Sequence, residues 1–171
     1  MTMDASDDAR LSALLPRLRR FARSLAGDAA DDIVQSALER ALRRWDSRRD
    51  DDALQAWLFA IVYRQFATEH RRARRWQRVL ELFGAEPVEP SPSPERIHEG
   101  QAMLAAFARL SPDQRALLLL VSVEGFSYRE AADMLGLPIG TVMSRLSRAR
   151  EKLRALGDAG TPPPRTLRVL K

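Results

Sequence analysis

The residues best suited to chemistry in this sequence are basic side chains near its end. They follow Pro138 on one predicted helix and comprise Arg145, Arg148, Arg150, Lys152 and Arg154. Guanidinium groups bind phosphate oxygens and can also pair in a bidentate way with the edge of guanine. The cluster therefore predicts nucleic-acid recognition rather than catalysis.

Two repeated capping signals position this basic helix. Ser111 and Gln114, and then Ser127 and Glu130, have the spacing of capping boxes, which begin helices. Gly136 can adopt the left-handed conformation that ends a helix. A short capped helix, a glycine turn and a basic second helix predict a helix-turn-helix, in which the second helix enters the major groove. A simple helical hairpin with a charged outer face is the alternative.

The periodicity of the second helix separates an inner from an outer face. We expect the inner face to pack on the preceding helices through Ile139, Val142, Leu146 and Ala149. The side chains expected to face the DNA bases are Met143, Ser144, Ser147 and Arg148. Arg148 is placed to pair with a guanine, whereas Arg145 and Arg150 suit phosphates.

The charge distribution favours a polyanionic partner. The net charge is +5 and the isoelectric point is about 10.5. A second basic segment, opposed only by Glu69, contains Arg71, Arg72, Arg74, Arg75 and Arg78. An acidic segment separates it from the last helix, so the chain is predicted to contact nucleic acid twice. Arginines that merely solvate helix faces are the alternative for either segment taken alone.

Hydrophobic periodicity predicts an all-α fold of two small helical domains on a flexible linker. The first domain is expected to span residues 1–83, with one helix ended by Gly27, a second capped by Asp28, and a third that begins near Leu54 and ends at the arginine run. Its buried stripe is expected to include Leu38, Leu42 and Trp57. Residues 84–98 are rich in proline and glutamate and predict the linker. The helix-turn-helix domain follows at 99–157, and 158–171 is predicted to be a flexible tail.

Several classes of function find no support in the residues. The sequence has no cysteine, which excludes disulfides, thiolate catalysis and the common zinc fingers. Asp50, Asp51 and Asp52 lack the spacing of a calcium loop, and His70 and His98 lie in an arginine run and the linker. We therefore expect no enzyme activity, no cofactor and no metal. The acidic start and the lack of a long apolar run predict neither export nor membrane insertion, hence a cytoplasmic protein.

Five segments, in order, resemble a known family. The second half contains LSPDQR from Leu110, GFSYREAA from Gly125 and LPIGTVMSRLSRAR from Leu137. These segments are similar to region 4 of extracytoplasmic-function (ECF) sigma factors, the smallest members of the bacterial sigma-70 family. In the first half, DDIVQSALER from Asp31 resembles their region 2.2, and LQAWLFAI from Leu54 resembles the start of the helix that holds regions 2.3 and 2.4.

The resemblance implies a transcription initiation factor that binds core RNA polymerase and promoter DNA. Region 4 would read the −35 element, and region 2 would melt the −10 element. The helix at Asp31 would dock on the β′ coiled coil of polymerase, and the β subunit would be a second partner. The residues in the matching positions are Asp31, Asp32, Val34 and Gln35. Those aspartates could equally be simple complements of the helix dipole. Residues 46–53 would form a loop that captures a flipped base.

The −10 contacts implied by the resemblance are Arg64, Arg71, Arg72, Arg74 and Arg75. Arg64 departs from the asparagine that many family members have near the base pocket, and Met143 departs from a basic residue. An anti-sigma factor would be the regulatory partner.

Two other functions remain open. A sigma-like mimic would sequester an anti-sigma factor, although known mimics carry a receiver domain. A stand-alone helix-turn-helix repressor would normally dimerise on a palindrome and has no use for the first domain.

Overall fold

The protein is an assembly of helices in two halves. The computed structural model describes residues 5–45, 53–82 and 105–158. The first half contains α1 (Ala5–Ala26), α2 (Ala30–Arg43) and α3 (Leu54–Leu82), and the second contains α4 (Pro112–Ser122), α5 (Tyr128–Leu135) and α6 (Ile139–Asp158). A 3-10 turn, Gly27–Ala29, joins α1 to α2. Regular structure in these described ranges is helical throughout, which confirms the all-α prediction.

The first half is a three-helix bundle. The ring of Phe21 on α1 meets that of Phe59 on α3 edge to face at 5.2 Å. Leu18, Ile33 and Leu58 are buried around this pair. Such burial gives roughly 1.5–3 kcal/mol for each large apolar side chain, so the apolar stripes bring the helices together. The predicted end of α1 is confirmed, since Gly27, at φ 56°, follows its last residue, Ala26.

Three details of the first half differ from the sequence prediction. Asp28 does not cap α2; the capping position belongs to Ala29, which provides no side-chain hydrogen bond. Leu42 is exposed, because α2 turns Ile33, Ala37 and Ala41 towards the core instead. The third helix does not end at the arginines. It continues without a break to Leu82, because arginine is a good helix former and the segment contains no proline or glycine.

The second half has the predicted helix-turn-helix. The backbone N–H of Gln114 donates to Ser111 Oγ at 3.3 Å, and that of Glu130 donates to Ser127 Oγ at 3.2 Å. The return bonds to the capping backbones complete both boxes. Gly136 is left-handed, with φ 65° and ψ 40°, and ends α5. Both capping boxes and the glycine stop are confirmed.

The two halves share one hydrophobic core. Phe126, which follows α4, packs edge to face on Phe59 at 5.6 Å, so a single aromatic chain runs from α1 through α3 into the second half. Arg115 on α4 also donates to the carbonyl of Leu25 at the end of α1. The predicted linker, 84–98, lies outside the described residues, as does the tail from residue 159 onwards. The predicted domain boundaries therefore remain predictions.

In the described part of the chain, no helix is long and apolar enough to cross a membrane. In the same ranges, no group of three or more histidine, aspartate or glutamate side chains is placed to hold a metal ion.

Candidate nucleic-acid interface

Packing on α4 and α5 fixes the orientation of α6. Val142, Leu146 and Ala149 are buried, as the periodicity of the helix predicts. Ile139, also expected inside, is 44% exposed, so that prediction is wrong. Ile139 lies one turn before Val142, in the first turn of the helix. The core therefore fixes three positions of the predicted stripe and leaves its first member in solvent.

The outer face of α6 exposes the four side chains predicted to meet bases. Met143 is 53% exposed, and Ser144, Ser147 and Arg148 are also exposed. Ser144 Oγ donates to the carbonyl of Thr141 at 3.1 Å, and Ser147 Oγ donates to Glu151 Oε1 at 3.1 Å. Both hydroxyl protons are therefore used within the helix. The side chains of Met143 and Arg148 form no hydrogen bond or ion pair with the described residues and are available to a ligand.

The two arginines predicted to bind phosphates are held by the protein. Arg145 Nη1 donates to Asp113 Oδ2 at 3.0 Å, and Arg150 Nη1 donates to the hydroxyl of Tyr128 at 3.2 Å. Both arginine side chains are half-buried. These bonds fix guanidinium groups at the flank of α6, which lowers the entropy lost when a phosphate binds.

Asp113 joins this site to the first half of the chain. Its Oδ1 accepts a hydrogen bond from the hydroxyl of Tyr63, on α3, at 3.0 Å. Burial, followed by the negative charge of Asp113, raises the pKa of Tyr63 well above its ordinary value. Both residues lie outside the site predicted from the sequence. Asp113 carries a signal only as an acidic residue in the first turn of α4, and nothing local connects it to Tyr63 or Arg145.

The second basic surface lies on α3. All five arginines predicted for −10 binding are exposed: Arg64, Arg71, Arg72, Arg74 and Arg75. A cavity of about 440 Å³ lies along Thr68, Arg71, Arg74, Arg75 and Arg78. Trp76 lies among these arginines and is 59% exposed.

Other groups near this surface serve α3 itself. Arg71 Nε donates to the carbonyl of Ala67 at 2.9 Å, which directs its side chain back along the helix. His70 stacks on Phe66 at 5.3 Å; burial and then the positive charge of Arg74 lower the pKa of its imidazole. The imidazole is therefore biased towards its neutral form and adds little to the positive potential of the arginines.

Arg64 faces a groove between the two halves. The groove has a volume of about 630 Å³, and its walls are α3 and α5. Trp57, half-buried and edge to face with Trp45 at 5.9 Å, contributes to one wall, while Glu130 and Asp133 lie on the other. Acidic side chains of the second half thus lie across from a predicted DNA contact of the first. Of the predicted base-capturing loop, only Ala53 lies within the described residues.

The predicted polymerase surface on α2 is only partly exposed. Asp31, Asp32 and Gln35 are in solvent, and Asp31 lies 3.8 Å from the guanidinium of Arg19. Val34 is buried in the core between the helices. Its side chain stabilises the bundle, because α2 turns this position inwards, and its role as a polymerase contact stays a prediction.

Two family models match the chain. Residues 100–153 match the model described as Sigma-70, region 4, and residues 11–63 match the Sigma2 domain of PhyR. The chain is 40% identical over 158 residues to the ECF RNA polymerase sigma factor EcfG of Rhodopseudomonas palustris, and the match covers 91% of this chain and 86% of that protein.

Solved structures agree with these matches. The sigma factor RpoE of Bartonella quintana, in complex with the anti-sigma factor NepR, superposes with a TM-score of 0.75 at 35% identity, over 92% of this chain and all of that one. The anti-anti-sigma factor PhyR from the same organism shares the fold, with a TM-score of 0.52 at 24% identity over 84% of this chain and 48% of PhyR. With a family-model match to sigma-70 region 4 and a relative 40% identical over 91% of the chain, the chain belongs to the ECF RNA polymerase sigma factors.

Proposed function

We propose that the protein directs core RNA polymerase to specific promoters, reading the −35 element with α6 and the −10 element with α3. The observation that carries the proposal is a pair of exposed arginine surfaces, one on each half of a chain that belongs to the ECF sigma factors. The protein would add specificity to a polymerase and catalyse nothing itself. Its place of action would then be the cytoplasm, with the polymerase.

The α6 surface suits the major groove. Its free side chains, Met143 and Arg148, point away from the core, while the tethered Arg145 and Arg150 lie at its flank. Phosphate contacts position such a helix, and contacts to base edges specify the sequence. The presence of free side chains for the bases and tethered arginines for the phosphates supports sequence-specific binding rather than a general attraction to polyanions.

The α3 surface suits the backbone of melted or bent DNA. Its arginines lie on successive turns of one long helix, so their positive charges are distributed along the helix axis. Neutralised phosphates release counterions, and binding through this surface should therefore weaken steeply with salt. Trp76 adds an exposed ring on which an unpaired base can stack.

Polymerase would bind at α2, where Asp31, Asp32 and Gln35 form an exposed polar edge at the start of the helix. Core polymerase would also tether the two DNA-reading halves. A tether raises the effective concentration of the second contact once the first has formed, so neither half needs high affinity alone.

Regulation by an anti-sigma factor is part of the proposal. The RpoE structure that this chain resembles at 35% identity is a complex with NepR. In the present structure the halves pack on each other through Phe59 and Phe126. A partner that binds this closed arrangement in preference to an open one would lower the fraction of protein able to bind a promoter.

Run-off transcription with purified core polymerase tests the function. A pool of genomic promoter fragments is transcribed with core alone, with the protein alone, and with both together. We expect discrete start sites only in the combined reaction. Absence of any start site or open complex with an active core preparation would contradict the proposal.

A second candidate function is a sigma-like mimic that sequesters an anti-sigma factor. The specific observation in its favour is the match of residues 11–63 to the Sigma2 domain of PhyR. Capture from a lysate distinguishes the two. Core polymerase subunits on the tagged protein support the promoter-reading function, whereas an anti-sigma factor without polymerase supports the mimic.

A further inference from the structure

An apolar pair lies at the start of the DNA-facing helix. Ile139 and Met143 are 44% and 53% exposed, and they are four residues apart on α6. Side chains at this spacing lie on the same face of a helix, with Cβ atoms about 5–6 Å apart. The pair therefore forms an apolar strip one turn long in solvent.

The surroundings of the strip indicate the type of partner. Arg145, Arg148 and Arg150 follow it on the same helix, and Ser144 lies beside it. An apolar strip next to three guanidinium groups suits a polyanion that has an apolar group exposed between two lines of phosphates. The major groove of DNA has this composition, since thymine alone presents a C5-methyl group there.

The position along the helix agrees with this partner. In a helix-turn-helix, residues near the start of the second helix contact the base edges. Ile139 is the first residue of α6, and Met143 is one turn later. Both hydroxyl groups nearby, those of Ser144 and Ser147, already donate within the helix. Their oxygens can still accept hydrogen bonds, and the apolar pair adds van der Waals contact as a second type of interaction at this end of α6.

We propose that Ile139 and Met143 recognise the methyl group of thymine in the −35 element, while Arg148 recognises a different base pair. The proposal rests on the proposed promoter-reading function and adds the chemical class of base that one end of α6 selects. The apolar side chain of Met143 then selects thymine by contact with its methyl group. This contact takes the place of the hydrogen bonds that a basic residue at this position would form with a base.

Replacement of thymine by deoxyuridine tests the inference directly. Uracil pairs with adenine as thymine does and lacks only the C5-methyl group. Polymerase holoenzyme formed with this protein first selects promoters from a DNA pool randomised across the −35 window. Each thymine of the selected element is then replaced singly by deoxyuridine, and holoenzyme binding is measured. At one or two positions we expect a loss of about fourfold, the value of one buried methyl-sized group.

A double-mutant cycle assigns the effect to the pair. In Met143→Ala the penalty for deoxyuridine should disappear at one of those positions, and in Met143→Leu it should remain. Val123→Ala is the matched control, because Val123 is an apolar residue 64% exposed in the turn after α4, outside α6. This control should retain the full penalty. Unchanged thermal unfolding of each variant shows that the fold is intact.

The outcomes separate this inference from the function on which it rests. If holoenzyme selects a promoter but no thymine in the −35 element is sensitive to loss of its methyl group, the inference is overturned and the function stands. The same holds if the sensitivity persists in both Ile139→Ala and Met143→Ala, or if the two variants impair only capture of a protein partner. If holoenzyme selects no sequence at all, the proposed function fails as well.

Discussion

Arg17 donates two hydrogen bonds to a single carboxylate oxygen of Glu124, across 107 positions of sequence. Its Nε and Nη2 atoms lie 2.7 and 2.6 Å from Oε2. The Glu124 side chain is only 5% exposed and that of Arg17 is 33% exposed, so water screens this pair poorly. These two contacts link the turn after α4 to α1 and thereby stabilise the packing of the second half of the chain on the first.

Loss of the carboxylate should weaken the folded, closed protein. Glu124→Ala leaves the partly buried Arg17 guanidinium without its charged partner and with the 3.3 Å hydrogen bond from its Nη1 to Gln55 Oε1, and we expect a loss of about 1–3 kcal/mol in the free energy of unfolding. Urea titration measures it. The matched control is the exposed pair of Arg19 and Asp31, with side chains 65% and 69% exposed. Asp31→Asn should change stability by less than about 0.5 kcal/mol. Equal effects at both sites would contradict this view of Glu124.

The two capping boxes should respond differently to acid. Ser127→Ala and Ser111→Ala should each cost about 1 kcal/mol at neutral pH, because each removes the side-chain cap of a helix. Hydrogen bonds from Ser127 lower the pKa of Glu130. The stability linked to Glu130 is therefore present above its ordinary pKa and is lost as the pH falls through the lowered value.

The acid response is measured by thermal unfolding of both variants between neutral pH and about pH 3, a range that brackets the ordinary pKa of glutamate. The cost of Ser127→Ala should shrink towards the acidic end. The cost of Ser111→Ala should stay constant, since its partner Gln114 does not titrate. Parallel pH profiles for the two variants would show that the charge of Glu130 is irrelevant to its cap.

Two glycines of the helix-turn-helix should respond in opposite directions to alanine. Gly136 has a φ of +65°, where a Cβ is strained although open space surrounds it, so Gly136→Ala should cost about 1–2 kcal/mol. Gly140 lies in the first turn of α6 with ordinary helical backbone, and nothing lies within 4 Å of an added Cβ. Gly140→Ala should therefore stabilise the fold by about 0.4–1 kcal/mol. Chemical denaturation measures both, and a loss at each position would refute the contrast.

Alkaline pH should weaken the contact between Tyr63 and Asp113. Burial and the charge of Asp113 raise the pKa of Tyr63 above the ordinary value of 10.0. A raised pKa in the folded state gives stability that is complete below the unfolded pKa and is lost as the pH rises above it. The free energy of unfolding should thus fall above about pH 10 in the wild type.

Tyr63→Phe should remove most of that alkaline loss while lowering stability at neutral pH, because Asp113 loses a hydrogen bond. Tyr128→Phe is the control, since it removes the other tyrosine of the chain and should retain the alkaline loss. Denaturation at a series of pH values compares the three proteins. A wild-type curve that stays flat up to pH 11 would contradict the assignment.

Arg148 and Arg74 should differ in what they contribute to promoter binding. Arg148→Ala should reduce discrimination between matched and mismatched −35 elements by about 1–3 kcal/mol, as expected for a bidentate base contact. Arg74→Ala should weaken all promoters alike and reduce the slope of log affinity against log salt by about 0.9. Holoenzyme binding to both classes of promoter across a salt series measures the two effects. Uniform weakening by Arg148→Ala would reassign that residue to a phosphate.

Local signals were the most reliable part of the sequence. Ser111, Ser127 and Gly136 act within a few residues of themselves, so their capping bonds and left-handed turn could be predicted and are confirmed. Most of the inner stripe of α6 was also predicted, since the apolar period is a local property. The burial of residues at the ends of the stripes was predicted wrongly. Leu42 and Ile139 fit the period and yet lie in solvent, because the residues that meet the core are their neighbours, Ala41 on α2 and Val142 on α6.

Pairs of distant residues required the tertiary structure. Tyr63 with Asp113, and Arg17 with Glu124, are separated by 50 and 107 positions, and each alone is an ordinary polar residue on a helix or turn. Only the packing of α1 and α3 against the second half brings them within bonding distance. The same packing leaves Arg145 tethered and Arg148 free, although both are basic residues on one helix.

The amino-acid order therefore specifies where most helices form, the two capping boxes and the family, since each depends on contacts between residues close in the chain or on ordered motifs. The tertiary structure decided which guanidinium groups are bound and which are free. It also decided which apolar residues of α6 face solvent. The physical reason is that burial depends on what other segments bring to a surface, and the periodicity of a single helix carries no information about its neighbours.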